Sequence, residues 1–375
     1  MITVNPHLRA ISAYAPGASP EQIKAQYGLD HVEKLASNEN PLGCSPLARR
    51  AALQALDNVH LYNDGGVALR QSLAKFHRVN SDCISVHNGS DAIIHQIMRT
   101  FLLPGETALS SDGTFVSFRI AVAGADREHR LVPLTSSFAY NTVAIGDAID
   151  ETTKVIYIAN PNNPTGTHVD RIALMELLHR IPDHVLVVLD EAYVEYAQFL
   201  HPDSYPTDVD CSRPNVIRLR TFSKAYGLAA LRVGYAIGDP SVMQWLIRTK
   251  LPFDPNGIGC AAAIAALEDQ AFVRATVELN AECLSIMTSA AASAGLTAIP
   301  SSANFVMFDL GSQERAATFH KLLLEGGFIS RPLTSFGLTS CVRVSTGTRE
   351  QIDRLSGVLA TAAHALNLTT SPSIV

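Results

Sequence analysis

No apolar run in this sequence approaches the length of a membrane span, and its start carries neither the charged nor the apolar region of a signal peptide. A soluble, cytoplasmic protein is therefore expected. Basic residues are scattered without runs or interleaved aromatics, and the net charge is −6; such a surface suits neither nucleic acid nor anionic membranes. The six cysteines, Cys44, Cys83, Cys211, Cys260, Cys283 and Cys341, stand far apart, without CxxC or clustered histidine spacing. They read as reduced thiols, with no disulfide framework and no metal site. Neither GxGxxG nor GxxxxGK[ST] occurs, which argues against a dinucleotide or nucleoside triphosphate site. No GxSxG surrounds Ser90, which disfavours a hydrolase nucleophile elbow. Internal repeats and low-complexity tracts are also missing.

What is present is ample apolar material, 47% of 375 residues, enough for two or three packed units. Pro6, Pro16, Gly17 and Pro20 break any periodicity in the first thirty or so residues, which read as an arm lying over another surface. From about residue 66, helical periodicity alternates with short apolar runs, the pattern of a mostly parallel sheet covered by helices. Helices are expected over 45–56, 67–78, 90–101, 115–123 and 170–181, and strands over 83–87, 107–109, 131–133, 155–159, 185–189, 216–219 and 233–237. Past residue 255 the texture changes to alanine-rich helices over 259–267 and 272–294, the second long enough to bridge two units. Short strands at 304–310, 328–331 and 341–344 and a closing helix at 349–366 suggest a smaller α+β unit. The expected division is an arm at 1–35, a large α/β unit at 36–255 and a small unit at 256–375.

The chemistry-bearing residues fall where strands end. Lys224 follows the apolar run 215–219, between the hydroxyls of Thr221 and Ser223, with Gly227 allowing a tight turn and Arg232 further on. A lysine attacks a carbonyl only when deprotonated, and a neighbouring positive charge or partial desolvation favours that state. Thr221, Ser223 and Arg232 also suit a phosphate; an ordinary capped strand end with a surface lysine fits the dipeptide equally. Asp190 ends the run 184–189, where ligands bind in open α/β sheets. An ionised Asp190 would keep a pyridine nitrogen protonated, with Tyr193 on the same side, although a helix cap is the simpler reading of Asp190 alone. Asn163, in Asn160-Pro161-Asn162-Asn163-Pro164-Thr165-Gly166, is a rigidly presented amide or part of a turn. Asn88-Gly89-Ser90-Asp91 joins a strand to a helix and suits an anion or simple capping. Phe115 could stack on a flat ring or sit in the core. Arg331 and Arg343 lie in apolar strands and need a partner, either a substrate carboxylate or an internal acid.

Taken together, Phe115, Asn163, Asp190 and Lys224 in this chain order, followed by two strand-borne arginines, resemble the aspartate aminotransferase-type fold of pyridoxal-phosphate enzymes (fold type I). Within it, 34–43, Tyr62-Asn63-Asp64-Gly65-Gly66, 300–305 and 343–348 resemble the histidinol-phosphate aminotransferase family. The similarity runs from Tyr14-Ala15-Pro16-Gly17 to the last helix. Asn63, Gly113, Cys44 and 254–258 depart from common versions.

The resemblance implies pyridoxal 5'-phosphate as cofactor, held by Lys224 as a Schiff base. Asp190 is implied to pair with the ring nitrogen, Asn163 and Tyr193 with the ring oxygen, and Phe115 to stack on the ring. Phosphate contacts are implied for Ser90, Asp91, Thr221, Ser223, Arg232 and, from the neighbouring subunit of a homodimer, Tyr62. Arg343 with Arg331 is implied to bind the donor phosphate or the 2-oxoglutarate carboxylate, and Tyr14, Asn38 and Asn304 to line the substrate pocket. The implied reaction converts L-histidinol phosphate and 2-oxoglutarate to imidazole acetol phosphate and L-glutamate, a step of histidine biosynthesis. An aromatic amino-acid aminotransferase, a phosphothreonine decarboxylase-like lyase and a non-catalytic regulator that binds the cofactor are the alternatives.

Overall fold

The computed structural model describes residues 3–11, 18–206 and 213–367. Its centre is a seven-stranded sheet in the order Ile84–His87, Gly234–Gly238, Val216–Thr221, Leu186–Asp190, Thr153–Ala159, Thr107–Ser111, Glu128–Val132. Gly234–Gly238 runs against the other six strands and pairs antiparallel with both of its neighbours, so the sheet is mostly parallel, as expected. Such a sheet is buried on both faces, which explains why Leu186–Asp190 reads as a continuous apolar run rather than an alternating one.

Alternation then sorts the side chains between two cores. Val155, Tyr157, Val188 and Leu219 pack with Ile93, Ile97, Phe118 and Leu246, under the helices Ser90–Phe101, Val116–Gly124 and Pro240–Thr249. Ile156, Ile158, Val187 and Leu189 pack with Leu174, Leu177 and Leu178 of Arg171–Arg180 on the other face.

A second, antiparallel sheet runs Arg331–Pro332, Cys341–Ser345, Phe305–Asp309, Thr297–Ile299. Phe308, Val342 and Val344 bury one face against Met287, Phe319, Leu355 and Leu359 of the helices Gln270–Ser293, Gln313–Glu325 and Arg349–Ala365. Gln270–Ser293 does span two cores. Val273 and Val277 pack in the cluster around Tyr193 and Phe222, whereas Cys283, Leu284 and Met287 join the core of the second sheet.

Several elements differ from expectation. The expected strand at 328–331 is two short pieces. Phe328–Ile329 pairs parallel with Glu33–Lys34, and Arg331–Pro332 pairs with Cys341–Ser345. The turn between them buries Ser330, whose hydroxyl bonds His320 at 2.8 Å. The arm, expected to lack a pattern, contains the helix Pro20–Tyr27. Pro20 sits in its first turn, where no N–H is needed, and Ser19 with Gln22 forms a capping box. Helices at Thr142–Asp147, Val194–Leu200, Pro240–Thr249 and Gln313–Glu325 were not expected. The last two carry start signals, Asp239 before Pro240 and Ser312 capping Arg315. No helix among the described residues is long and apolar enough to cross a membrane.

Candidate active site

The parallel strands of the large sheet all release their chains at one edge, and the reversed strand enters there. Residues distant in sequence therefore meet at that edge. Ala159 lies opposite Asp190, Asp190 opposite Leu219, and Gly234 opposite both Thr221 and His87. An open cavity of about 550 Å³ lies over these ends. Of the predicted residues, Ser90, Asp91, Phe115, Asn163, Asp190, Tyr193, Thr221, Ser223, Lys224 and Arg232 line it.

Asp190 is 4% exposed. The Tyr157 hydroxyl donates to its Oδ2 at 2.7 Å, and the Ala192 N–H donates to Oδ1 at 3.2 Å. Burial, with Asp91 and Glu191 nearby, pushes the carboxyl up to about 6 against the lowering effect of these hydrogen bonds. A carboxylate in this state gains strongly from a cation placed against it. Tyr157 was not singled out in the sequence, because its hydroxyl looked like part of a core strand.

Lys224 leaves the strand Val216–Thr221. Its Nζ donates to the carbonyls of Ser37 and Asn38, both at 3.3 Å, and lies 5.6 Å from the Tyr193 ring centroid. Gly227, at φ +70°, closes the following turn so tightly that a Cβ there would land on the Gly43 carbonyl oxygen. That close approach, as much as the positive φ, requires glycine.

The other side of the cavity is built for an anion. Ser90 opens the 12-residue helix Ser90–Phe101, which Gly89 precedes at φ +87° with no side-chain cap, so its first N–H groups are not claimed by a cap. Thr221 Oγ1 and Ser223 Oγ lie 3.0 Å apart, and Arg232 Nη1 donates to Ser223 Oγ at 3.2 Å. Arg232 itself sits at φ +52°, an unusual conformation for arginine, and its Nη2 is 3.4 Å from Asp91 Oδ2. A Cβ on Gly89 would come 2.6 Å from Arg232 Nη2, and one on Gly234 would collide with the Ser90 nitrogen. The backbone is thus drawn close on both sides of the cradle.

Asn163 accepts a hydrogen bond from Arg343 Nη1, which fixes the orientation of its amide. Arg343 is 5% exposed; it also donates to the Ala36 carbonyl at 3.0 Å and lies 5.0 Å over the Phe305 ring. Phe115 immediately precedes the helix Val116–Gly124 and is half-buried at the cavity wall.

The remaining predicted residues lie elsewhere. Asn38 and Asn304 are buried but do not line the cavity. The Asn38 amide donates to the Tyr193 hydroxyl at 2.9 Å and accepts from Ser345 at 2.8 Å, while Asn304 donates to the Asn38 carbonyl at 3.1 Å. They brace the loop whose carbonyls hold Lys224. Arg331 borders a second, smaller cavity with Lys34, Ser37, His320 and Ser330. Tyr62 is 83% exposed, stacked on Phe253 at 4.2 Å, away from the cavity of its own chain. Tyr14 lies outside the described residues.

The set fits pyridoxal 5'-phosphate: a buried carboxylate of raised pKa for the ring nitrogen, an amine on the same cavity, and a helix start with two hydroxyls and a guanidinium for the phosphate.

Residues 30–359 match the model of the family described as aminotransferase class I and II. The histidinol-phosphate aminotransferase of Bacillus velezensis is 41% identical over 360 residues, covering 95% of this chain and 99% of that one. The enzyme of the same name from Geobacillus sp. strain WCH70 is 41% identical over 355 residues, covering 94% and 96%. The crystal structure of histidinol-phosphate aminotransferase from Sinorhizobium meliloti, in complex with pyridoxal-5'-phosphate, has a TM-score of 0.86 at 30% identity and covers 97% of this chain and 98% of that one. Similarity of this extent, on a scaffold whose strand ends gather a lysine, an aspartate and an anion cradle, means that the chain belongs to the aminotransferase class I and II family.

Proposed function

We propose that this enzyme is a pyridoxal-phosphate-dependent histidinol-phosphate aminotransferase, exchanging amino groups between L-histidinol phosphate and 2-oxoglutarate. The observation that carries the cofactor chemistry is the convergence of Asp190 and Lys224 on one cavity whose far side is an anion cradle. The substrate assignment is supported by the relatives of that name at 41% identity over nearly the whole chain.

When bound, the cofactor supplies an electron sink for the carbon that loses its proton. The protein's part follows from its residues. Asp190 would pair with the ring nitrogen and keep it protonated, Asn163 and Tyr193 would hold the ring oxygen, and Phe115 would pack on the ring. The Ser90–Asp91 helix start, Thr221, Ser223 and Arg232 take the phosphate. Lys224 Nζ takes the proton from the amino-bearing substrate carbon and returns it one position away, a general-base role that requires the free amine. Arg343, with Arg331, would receive the donor phosphate or the acceptor carboxylate, and Tyr14 would line the substrate pocket.

The working unit we assign is a cytoplasmic homodimer in which Tyr62 of each chain reaches the other's phosphate. This accounts for an aromatic 83% exposed in one chain. In this assignment, 36–255 is the cofactor-binding unit, 256–375 the small unit and 1–35 the arm.

The deciding experiment compares kcat/KM for L-histidinol phosphate with that for phenylalanine and tyrosine. A preference of at least a hundredfold for histidinol phosphate is expected, since a site built for a phosphate rejects donors that leave its arginines unpaired. Equal values would overturn the substrate assignment in favour of an aromatic aminotransferase, and release of carbon dioxide would indicate a lyase. Lys224→Ala is expected to abolish turnover.

A further inference from the structure

Ser85, His87 and Asp254 form an enclosed ionisable cluster outside the cavity lining, with exposures of 1%, 2% and 8%. His87 Nε2 lies 2.7 Å from Ser85 Oγ, and His87 Nδ1 lies 3.3 Å from Asp254 Oδ2. Burial lowers the pKa of the imidazole against the raising effect of Asp254; with its proton on Nδ1 the ring donates to the carboxylate and accepts the serine hydroxyl at Nε2. Lys250, whose Nζ donates to the Gly65 carbonyl at 2.7 Å, is the other charge facing the pair. The order of groups is that of a hydrolase triad, but a serine this deeply buried meets no substrate.

The neighbours of the cluster show what it does. Asp254 Oδ1 accepts the Asn88 N–H at 3.1 Å, immediately before the Gly89–Ser90 turn. The Gly89 N–H donates back to the His87 carbonyl at 2.7 Å. Asn256, just beyond Asp254, donates its backbone N–H to Asn88 Oδ1 at 3.3 Å and its Nδ2 to the Leu231 carbonyl at 2.7 Å, next to Arg232. One short segment, 254–256, thus holds both arms of the anion cradle, the helix start at Ser90 and the arginine at 232.

We propose that the His87–Asp254 pair is a positioning device for the phosphate cradle, fixing the Ser90 helix start against Arg232 so that a phosphate meets donors already in place. The proposal rests on the pyridoxal-phosphate reading above. A cradle set in advance binds without the cost of ordering its donors, and that gain is confined to ligands carrying the phosphate.

The test measures dissociation constants of apoprotein for pyridoxal phosphate and for pyridoxal, which lacks the phosphate. His87→Phe keeps a ring and removes both hydrogen bonds; Asp254→Asn removes the charge while retaining an acceptor for Asn88. Each variant is expected to weaken pyridoxal phosphate about tenfold, the scale of a lost hydrogen bond to a charged group, with pyridoxal changed by less than about twofold. Equal weakening of both ligands, or none, would overturn the proposal and leave the pair a plain core contact. If His87→Phe does not fold, the ratio for Asp254→Asn decides. Wild-type protein unable to bind pyridoxal phosphate would overturn the cofactor reading as well; wild type that binds, with variants that keep its preference, overturns only the role of this pair.

Discussion

Asp190 and Tyr157 show how far a single residue's role depends on register. Asp190 was legible because it ends an apolar run at the ligand-binding edge of the sheet. Tyr157 was not, because nothing in the sequence states that Thr153–Ala159 pairs with Leu186–Asp190 so that Tyr157 faces Val188 and Ala159 faces Asp190. Once that register is known, alternation places Tyr157 and Asp190 on the same face, and the 2.7 Å bond follows. The hydroxyl donates to the ionised carboxylate, so its loss raises the Asp190 pKa further. Tyr157→Phe is expected to move the acidic limb of the kcat/KM profile up by about one unit, the equivalent of one such bond. It should also weaken cofactor binding, read by titrating apoprotein. An unmoved limb would mean that Tyr157 only packs. Asn38 and Asn304, polar residues in recognisable segments, resemble ligand contacts in the sequence, whereas in the fold Asn38 bonds Tyr193 and Ser345 and Asn304 bonds the Asn38 carbonyl.

Among the elements, strands such as Thr153–Ala159, Leu186–Asp190 and Val216–Thr221 were legible because each holds a short apolar run buried on both faces, whereas the edge strand Glu128–Val132, with Glu128 and His129 exposed, was expected only over 131–133. Pro20–Tyr27 was hidden by its own start signal: proline breaks a helix interior but suits a first turn, and the sequence alone leaves the choice between these roles open. The split of 328–331 was hidden because two residues carry no periodicity. The turn after Val216–Thr221 gives a prediction at this scale. Gly227→Ala adds a methyl where the Gly43 carbonyl already stands, at a φ that alanine avoids. The variant is expected to lose about 3 kcal/mol or more of unfolding free energy and to displace the 37–43 loop from Lys224. Denaturant unfolding of the apoprotein, with cofactor loading measured in parallel, checks both; stability within about 0.5 kcal/mol of wild type would show that the loop yields freely.

For the whole molecule, the cofactor is expected to act as part of the folded structure. Burial raises the folded-state pKa of Asp190 from 3.8 to about 6. The folded apoprotein therefore holds this proton more tightly than the unfolded chain does, and that stabilisation is full below pH 3.8 and lost as pH rises through 6. The loss is on the order of 3 kcal/mol. Glu195, raised to about 7 mainly by burial, adds a loss of the same sign in both forms. A pyridinium against Asp190 reverses only the first contribution. Apoprotein is thus expected to lose more stability than cofactor-loaded protein between pH 4.5 and 7.5, measured by urea midpoints; equal losses would place the ring nitrogen elsewhere. At the same scale, Val59, Leu61, Tyr62, Leu251 and Phe253 are exposed large side chains, and all but Leu251 border one cavity with Asn256. Sedimentation is expected to give the mass of two chains, and Tyr62→Ala to weaken pyridoxal phosphate more than pyridoxal. A monomer of full activity would remove the shared site.

The contact between Arg343 and Asn163 has a consequence for ligand choice. The guanidinium already gives hydrogen bonds to Asn163 and to the Ala36 carbonyl, two of its five N–H donors, so an incoming anion meets a fork whose plane is set in advance. A ligand offering two oxygens in one plane matches a planar fork held in one orientation, whereas one offering a single oxygen uses only part of it. Selectivity at this arginine is therefore set by orientation as much as by charge, and a rival of equal charge with its oxygens out of that plane is the weaker ligand.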